Sequence, residues 1–286
     1  MVKNLVSPEK GSNFAPQMTP RGGAVVARWA HNPKVAGSSP APATNEGRSF
    51  SAFFYLSNNQ VLAAMDVVYE DNHIIVVNKK PGEIVQGDKT GDKPLSEMVK
   101  EYLKEKYNKP GNVFCGVVHR IDRPVGGLVI FAKTSKALTR LNDMLRKGEI
   151  HKTYWALVEG KRDLPEGRLT DYLVSDGRLN KTFRARPRDK DQKKCVLEYS
   201  TVAVGERYTL LEVKLLTGRK HQIRAQLSLS GTPIKGDLKY GARRSNPDGS
   251  ISLLARRIEF IHPVSKQPID LQAAPTPEMQ KILGAE

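Results

Sequence analysis

Short apolar runs mark the predicted strands between residues 65 and 286. Residues 74–77 are all apolar and β-branched, and the segment from Asn78 to Gly82 follows them, which predicts a buried strand that ends in a turn. Five later runs have the same character and predict further strands, at residues 116–118, 128–131, 154–158, 195–204 and 208–216. Residues 208–213 partly alternate between polar and apolar, as an antiparallel strand with one exposed face should.

Helical spacing marks three other stretches. After Pro94, apolar side chains recur on one helical face, at Leu95, Met98, Val99, Tyr102 and Leu103. Residues 135–147 predict a second helix that ends near Gly148, and residues 223–229 predict a short third helix. Strands and helices mix without a repeating βαβ order. We therefore predict an α+β fold, with a mostly antiparallel mixed sheet and flanking helices.

The first 64 residues lack this periodicity. They carry six of the eighteen prolines and five glycines, and residues 37–44 are almost entirely small residues and proline. Such a stretch buries too little apolar surface to offset the entropy of ordering it. We expect residues 1–64 to be disordered and residues 65–286 to form the folded domain.

Residues 28–44 resemble a tRNA gene translated as protein. Back-translation permits a hairpin of TTGGG with CCCAA around CTCATAA, and a second of GCAGG with CCTGC around TTCAAGT. These have the form and spacing of an anticodon arm and a T arm. The hypothesis is that residues 1–64 are a non-native extension and that the protein begins at Met65; the alternative is a genuine low-complexity tail. The nucleotide sequence upstream of codon 65 decides between them.

Charge points to a polyanionic partner. Lys and Arg number 46 against 30 Asp and Glu, a formal net charge of +16. Basic side chains displace counterions from phosphates, so such an excess favours nucleic acid, and a basic protein without such a partner is the alternative. No long uncharged apolar run predicts a membrane helix. Two cysteines without a CxxC pair favour a reduced, cytosolic protein without a zinc site.

Common catalytic and cofactor motifs are absent from the sequence. It contains no phosphate-binding P-loop, no dinucleotide-binding GxGxxG after a strand, no GxSxG and no HExxH, and its six histidines lack metal-ligand spacing. The segment from Lys181 to Lys194 is densely basic with one aromatic residue, Phe183. We interpret this segment as a solvated loop that contacts phosphates rather than stacking on bases.

Two segments combine charge with apolar surroundings. In residues 119–127, Asp122 lies among His119, Arg120 and Arg123. These neighbours favour its ionised form, and a loop salt bridge is the alternative reading. In residues 216–224, a glycine turn precedes a cluster that reads as an anion-binding loop: Arg219, Lys220, His221 and Arg224.

A third segment, residues 152–160, carries two adjacent aromatic residues. On a strand, Tyr154 and Trp155 face opposite sides of the sheet. One of them can therefore belong to the core while the other is free to stack on a base.

Together these segments give a specific resemblance. Residues 68–275 resemble the RluA-type RNA pseudouridine synthases through five motifs in family order: residues 70–79 with Pro81-Gly82; residues 119–123 with Gly127; Lys152 and Tyr154 with Ala156, Val158 and Gly160; residues 217–219 with residues 221–224; and Gly236-Asp237 with Tyr240-Gly241. One departure is Val125-Gly126, where the family often has Thr-Ser. The lost hydroxyls would alter RNA contacts or the order of this loop.

The resemblance implies an isomerase that converts uridine to pseudouridine in structured rRNA or tRNA. Asp122 would be the essential carboxylate, acting on the ribose or the base, and Arg224 its ion-pair partner, with Arg219 as the alternative. Tyr154 would pack on the flipped base and assist proton movement at C5. The residues expected to contact RNA are His119, Arg120, Arg123, Arg219, Lys220 and His221.

The chemistry implied by this resemblance rearranges one base without a redox or group donor. We therefore expect no cofactor and no metal, an RNA partner, no membrane, and a cytoplasmic monomer. One alternative is a catalytically silent RNA-binding protein on the same fold, suggested by Val125-Gly126. Another is a hydrolase with Asp122 as nucleophile, for which the sequence has no oxyanion or metal motif.

Overall fold

A computed structural model describes residues 65–160 and 165–284. In chain order these contain β1 (Val67–Glu70), β2 (Ile74–Lys79), α1 (Leu95–Lys106), β3 (Gly116–Val117), β4 (Gly126–Ala132), α2 (Ser135–Lys147), β5 (His151–Glu159), β6 (Glu166–Asp176), β7 (Lys181–Arg184), β8 (Lys193–Val204), β9 (Tyr208–Leu215), α3 (Gln222–Leu229), a 3₁₀ turn (Leu238–Tyr240), β10 (Leu253–Ile261), β11 (Pro268–Gln272) and α4 (Pro277–Leu283).

The eleven strands of the described residues form one sheet. Its main path runs β1-β2-β4-β10-β5-β9-β8-β6-β7, with β3 paired to β4 and β11 paired to β10. Every pairing is antiparallel except that of β4 with β10, which is parallel over two residue pairs. This confirms the predicted α+β fold with a mostly antiparallel mixed sheet.

Strand alternation divides the core between the two faces of the sheet. In β2, Ile75 and Val77 belong to one apolar cluster and Ile74 and Val76 to the other. Helices α1 and α3 contribute to the first cluster, and α2 and α4 to the second. Because the central strands are apolar on both faces, the continuous hydrophobic runs in the sequence predicted them well.

The polar strands were not predicted. The interpretation of Lys181 to Lys194 as a loop is wrong at both ends. Residues 181–184 are β7, and Lys193 and Lys194 begin β8. Strand β10 was also missed, although most of its side chains are buried, because Arg256, Arg257 and Glu259 interrupt its apolar run. Strands β6, β7 and β11 and helix α4 lie where no periodic apolar run stands out. Several of their side chains face solvent, so burial leaves only a weak pattern in the sequence.

Residues 1–64, for which disorder and a non-native origin were predicted, lie outside the described residues. In the part of the chain that the structure describes, no helix is both long and apolar enough to span a membrane. The same part contains no group of three or more His, Cys, Asp or Glu side chains that could hold a metal ion.

Candidate active site

A groove with a volume of about 1380 Å³ runs along the face of the sheet that carries α3. Its walls come from the segments before and after β3, the end of α2, the start of β5 and the turn between β9 and α3. All nine residues predicted for the site line it: His119, Arg120, Asp122, Arg123, Tyr154, Arg219, Lys220, His221 and Arg224. Residues from three separate segments, 119–123, 154 and 219–224, are thus brought to one surface.

Asp122 lies in the loop between β3 and β4, and backbone hydrogen bonds hold this loop on both sides. The amide of Val125 donates to the carbonyl of Asp122 at 3.0 Å, which closes a tight turn. The amide of Ile251 donates to the carbonyl of Pro124 at 3.1 Å, and the amide of Gly82 to that of Arg123 at 2.8 Å. The carboxylate therefore projects from a fixed backbone.

The buried side chain of Lys79 holds the same loop through hydrogen bonds. Lys79 is only 1% exposed, and its Nζ donates to the carbonyls of Lys80, Glu83 and Arg123 at 2.9, 2.8 and 3.1 Å. Burial lowers the pKa of the ammonium to about 8, while Glu83 and Asp122 act in the opposite direction. This one side chain thus donates to three carbonyls, and those of Lys80 and Arg123 also accept from backbone amides.

The glycines after Asp122 have distinct roles. Gly127 has a φ of +114°, and a Cβ there would lie 2.4 Å from the carbonyl oxygen of Ala255 on β10. Only glycine allows this parallel contact between β4 and β10. A Cβ on Gly126 would lie 3.3 Å from Cδ of Pro81, so this site is tight. Val125 is buried in the core.

Arg224 connects Asp122 with a second carboxylate. Its Nη1 donates to Oδ2 of Asp122 at 3.1 Å, while Nε and Nη2 donate to the two oxygens of Asp237 at 2.7 and 2.8 Å. The side chain of Arg224 is 6% exposed and that of Asp237 1%, whereas that of Asp122 is 26% exposed. The catalytic candidate is therefore the carboxylate that is open to the groove. It is Arg224, rather than Arg219, that lies against it.

His221 and Tyr240 support the other side of the arginine. His221 lies before α3 with a φ of 52°, and its Nε2 is 3.6 Å from Oδ2 of Asp122. Its Nδ1 is 2.8 Å from the hydroxyl of Tyr240, whose ring lies 4.9 Å from Cζ of Arg224. Burial lowers the pKa of His221 to about 4. The charge of Arg224 also lowers this pKa, whereas the charge of Asp122 raises it. His221 is therefore neutral at pH 7.

The two aromatic residues of β5 are separated as strand alternation predicted. Tyr154 is 7% exposed and faces a recess of about 70 Å³, which Asp122 and Val125 also line. Burial and the Asp122 carboxylate raise the pKa of its phenol, so the hydroxyl keeps its proton. Trp155 lies on the opposite face, where the guanidinium of Arg256 covers its ring at 4.9 Å.

The basic residues next to Asp122 have other partners. Arg120 Nη1 donates to Gln86 Oε1 at 3.2 Å, and Arg123 Nη2 pairs with Asp92 at 2.6 Å. Nε2 of His119 accepts from the amide of Ile130 at 3.2 Å, which ties the start of the loop to β4. A salt bridge local to the loop, the alternative reading of the sequence, is thus absent within the described residues.

Four residues of the site had no role in the sequence analysis: Lys79, Lys152, Asp237 and Tyr240. All four lie in segments quoted for the family resemblance, so their position in the chain was a usable signal. Their contacts are long-range, however. Asp237 reaches Arg224 only because the turn after α3 folds back beneath it.

Comparison with known proteins identifies the family. A family model described as RNA pseudouridylate synthase matches residues 73–229, more than half of the chain. The chain belongs to the RNA pseudouridylate synthase family. This confirms the resemblance found in the five motifs and makes the chain an RNA-modifying isomerase.

The curated relatives agree with this membership. The ribosomal large subunit pseudouridine synthase D of Xanthomonas campestris is 30% identical over 241 residues, which cover 77% of this chain and 69% of the relative. The tRNA pseudouridine synthase C of Vibrio cholerae is 29% identical over an alignment that covers 77% of this chain and 95% of the relative.

A solved structure supports the fold assignment. Human RNA Pseudouridylate Synthase Domain Containing 4 superimposes with a TM-score of 0.66 at 20% identity, over 80% of this chain and 96% of that one. The RNA pseudouridylate synthase architecture therefore extends well beyond the residues matched by the family model.

Proposed function

We propose that this pseudouridine synthase isomerises uridine in a structured rRNA or tRNA, with Asp122 as the essential carboxylate. The reaction breaks the bond between uracil N1 and ribose C1′, turns the base, and joins C5 to C1′, with loss of the C5 proton and gain of a proton at N1. The observation that carries the proposal is the position of Asp122. Its carboxylate opens to the groove while the arginine that pairs with it is buried.

This pairing supports a reactive carboxylate. The guanidinium of Arg224 favours the ionised form of Asp122 and holds its rotamer through a charge-assisted hydrogen bond. An ionised carboxylate can act on the ribose or the base only if it stays close to them in a fixed orientation. The tight turn and Lys79 supply that fixed backbone.

Tyr154 is the candidate surface for the flipped base. Its ring lies in the recess beside Asp122, so a uracil stacked there would hold its glycosidic bond close to the carboxylate. With its proton retained, the phenol acts as a hydrogen-bond donor or proton carrier near C5. The guanidinium of Arg224 is occupied by Asp122 and Asp237, so its proposed role is to position Asp122.

The groove offers basic groups to offset the cost of flipping. Extruding a uridine from a helix costs a few kcal/mol, which phosphate contacts can repay. His119, Arg120, Arg123, Arg219, Lys220 and His221 are the proposed RNA contacts, and His221 would act as a neutral hydrogen-bonding group. Because one chain supplies the whole groove, we propose a monomer, which meets its RNA in the cytoplasm.

Tritium release tests this function. RNA labelled with 5-³H-uridine is taken from cells that lack the gene and incubated with wild-type protein or with Asp122→Asn. We expect wild type to release tritium and Asp122→Asn to release only background, with unchanged melting temperature and RNA affinity. Mapping pseudouridines in rRNA and tRNA with and without the gene then names the target.

Two results would contradict the proposal. If wild type releases nothing but binds RNA, the chain is a silent RNA-binding protein on the synthase fold. If Asp122→Asn still releases tritium at an appreciable rate, another residue carries the reaction. A loss of melting temperature in step with activity would instead make Asp122 a structural residue.

A further inference from the structure

Lys152 lies on the groove wall beside the proposed base site. It precedes Tyr154 by two residues on β5, so both side chains face the same side of the sheet. Its Nζ approaches the turn between β9 and α3, where a Cβ on Gly218 would lie 3.7 Å from it. Lys152 therefore fills the corner between the tyrosine strand and the basic turn that contains Arg219 and Lys220.

The ammonium of Lys152 has no protein partner there. Among residues 65–160 and 165–284 the structure gives its Nζ no hydrogen bond and no ion pair, although the side chain is half-buried. Two other basic residues lining the groove differ in this respect, because Arg123 pairs with Asp92 and Arg146 with Asp143. An unpaired cation that has lost part of its hydration is an unfavourable state that a bound anion would relieve.

The electrostatics of this corner agree with an anion site. Burial lowers the pKa of Lys152, and no carboxylate counteracts that effect. The nearby imidazole of His119 is neutral, since burial and the charge of Lys152 lower its pKa to about 3. Two exposed cations, Arg219 and Lys220, follow Gly218 in the same wall. Within the described residues, no carboxylate forms an ion pair with a cation of this corner.

We propose that Lys152 binds a backbone phosphate that flanks the uridine stacked on Tyr154. This inference rests on the proposed function. Residues i and i+2 of a strand are about 6.6 Å apart, a distance that one nucleotide spans between its base and its phosphate. A phosphate at Nζ would also restore the ordinary pKa of the ammonium, so binding and charge would support each other.

Salt-dependent binding tests the contact directly. The probe is a 12-nucleotide oligouridylate, and its affinity is measured by fluorescence anisotropy over a range of salt concentrations. Removing one phosphate contact from a single strand lowers the log–log slope by about 0.7, which we expect for Lys152→Met. Lys152→Arg, which keeps the charge, should recover most of the slope.

Lys214→Met is the matched control. Lys214 pairs with Thr153 in the β5–β9 register, so its side chain lies on the opposite face of the sheet from that of Lys152. It is more exposed and only 3.8 Å from Glu212. Its loss should leave the slope unchanged. Should Lys152→Met fold poorly, Lys152→Gln gives the same comparison.

Kinetics separate phosphate binding from a part in the reaction. With the tritiated RNA, Lys152→Met should raise KM about tenfold, the equivalent of one 1.4 kcal/mol contact, and leave kcat nearly unchanged. An unchanged salt slope overturns the proposal. So does a loss of kcat at constant KM, which would place Lys152 in the reaction step. If wild type releases no tritium while the slopes differ as expected, the phosphate contact stands and the proposed function fails.

Discussion

Arg224 and Asp122 meet through a single hydrogen bond of 3.1 Å, although the guanidinium has further donors. The other donors are committed to Asp237, which accepts two of them in a fork. The buried carboxylate thus fixes the arginine, and the arginine in turn fixes the exposed carboxylate. On this geometry we expect Asp237 and Arg224 to act as positioning residues, because Asp122 is the more exposed of the two carboxylates.

Arg224→Lys should reduce turnover while RNA affinity changes little. Lysine keeps the positive charge but cannot hold both carboxylates at once, because it lacks the planar fork. The loss of one charge-assisted hydrogen bond, about 1.5–3 kcal/mol, corresponds to a fall in kcat of roughly 10- to 100-fold. Tritium release at saturating RNA measures it. Full activity in Arg224→Lys would show that Asp122 needs only a nearby charge.

Asp237→Asn should destabilise the fold strongly. Asn cannot accept both hydrogen bonds, so the buried guanidinium loses its buried counterion and keeps only the partly exposed Asp122, a change that costs about 3 kcal/mol or more. The control is Asp270→Asn. Asp270 accepts the same fork from Arg257, at 2.7 and 2.6 Å, but this pair is about 40% exposed. Its loss should cost less than about 1 kcal/mol. Urea unfolding measures the free energy of unfolding of both variants. Equal decreases would show that burial of the Arg224–Asp237 pair does not make it more important for stability.

Lys79→Met should lower stability and loosen the loop of Asp122. Methionine matches the length of the stem but cannot donate, so the three hydrogen bonds of the ammonium are lost, each worth about 1 kcal/mol. Lys239→Met is the comparison, because Lys239 donates one hydrogen bond, to the carbonyl of Asn180, at an exposed site. Melting temperatures should separate the variants clearly, and a similar small effect in both would contradict the role of Lys79.

The sequence predicted the buried parts of this protein better than the polar ones. Strands such as β2 and β4 are apolar on both faces, so their runs are continuous and easy to read. Strand β6 alternates between exposed and half-buried residues, and β7 is only four residues long, so neither leaves a strong pattern. Helix α4 has a local signal, Thr276 followed by Pro277 at the first helical position, but it spans only seven residues.

The candidate site was predicted as a set of residues but not as a geometry. Arg219 and Arg224 belong to the same motif, and charge alone could not tell which faces Asp122. Burial distinguishes them in the structure, because Arg224 lies within α3 and is buried, whereas Arg219 precedes α3 at an exposed position. Asp237 lies far from Asp122 along the chain, so their sharing of one arginine requires the tertiary fold.

Acid should destabilise the fold partly through His221. Its pKa is about 4 in the folded protein and about 6.5 in the unfolded chain, so the unfolded state binds the proton more readily as pH falls. This contribution to stability is fully present above pH 6.5 and is lost between about 6.5 and 4. His221→Asn removes the titration, and asparagine tolerates the positive φ. Melting temperature should therefore fall less with acid in the variant, and parallel pH profiles would contradict this assignment.

Gly127→Ala tests whether the β4–β10 contact fixes the site. The new Cβ would lie within 2.6 Å of the nitrogen and oxygen of Ala255, both of them backbone atoms, and φ is +114°. Positive φ costs alanine about 1–2 kcal/mol, and the clash forces the two strands apart as well. Gly249→Ala is the control, since φ there is +71° and a Cβ would have no atom within 4 Å. It measures the cost of the positive φ without a clash. We expect Gly127→Ala to lose at least 2 kcal/mol more stability than Gly249→Ala, measured by urea unfolding. Turnover should fall with it, because β4 directly follows the loop of Asp122. Equal losses would mean that the strands separate at little cost and that the loop, not the sheet, fixes the carboxylate.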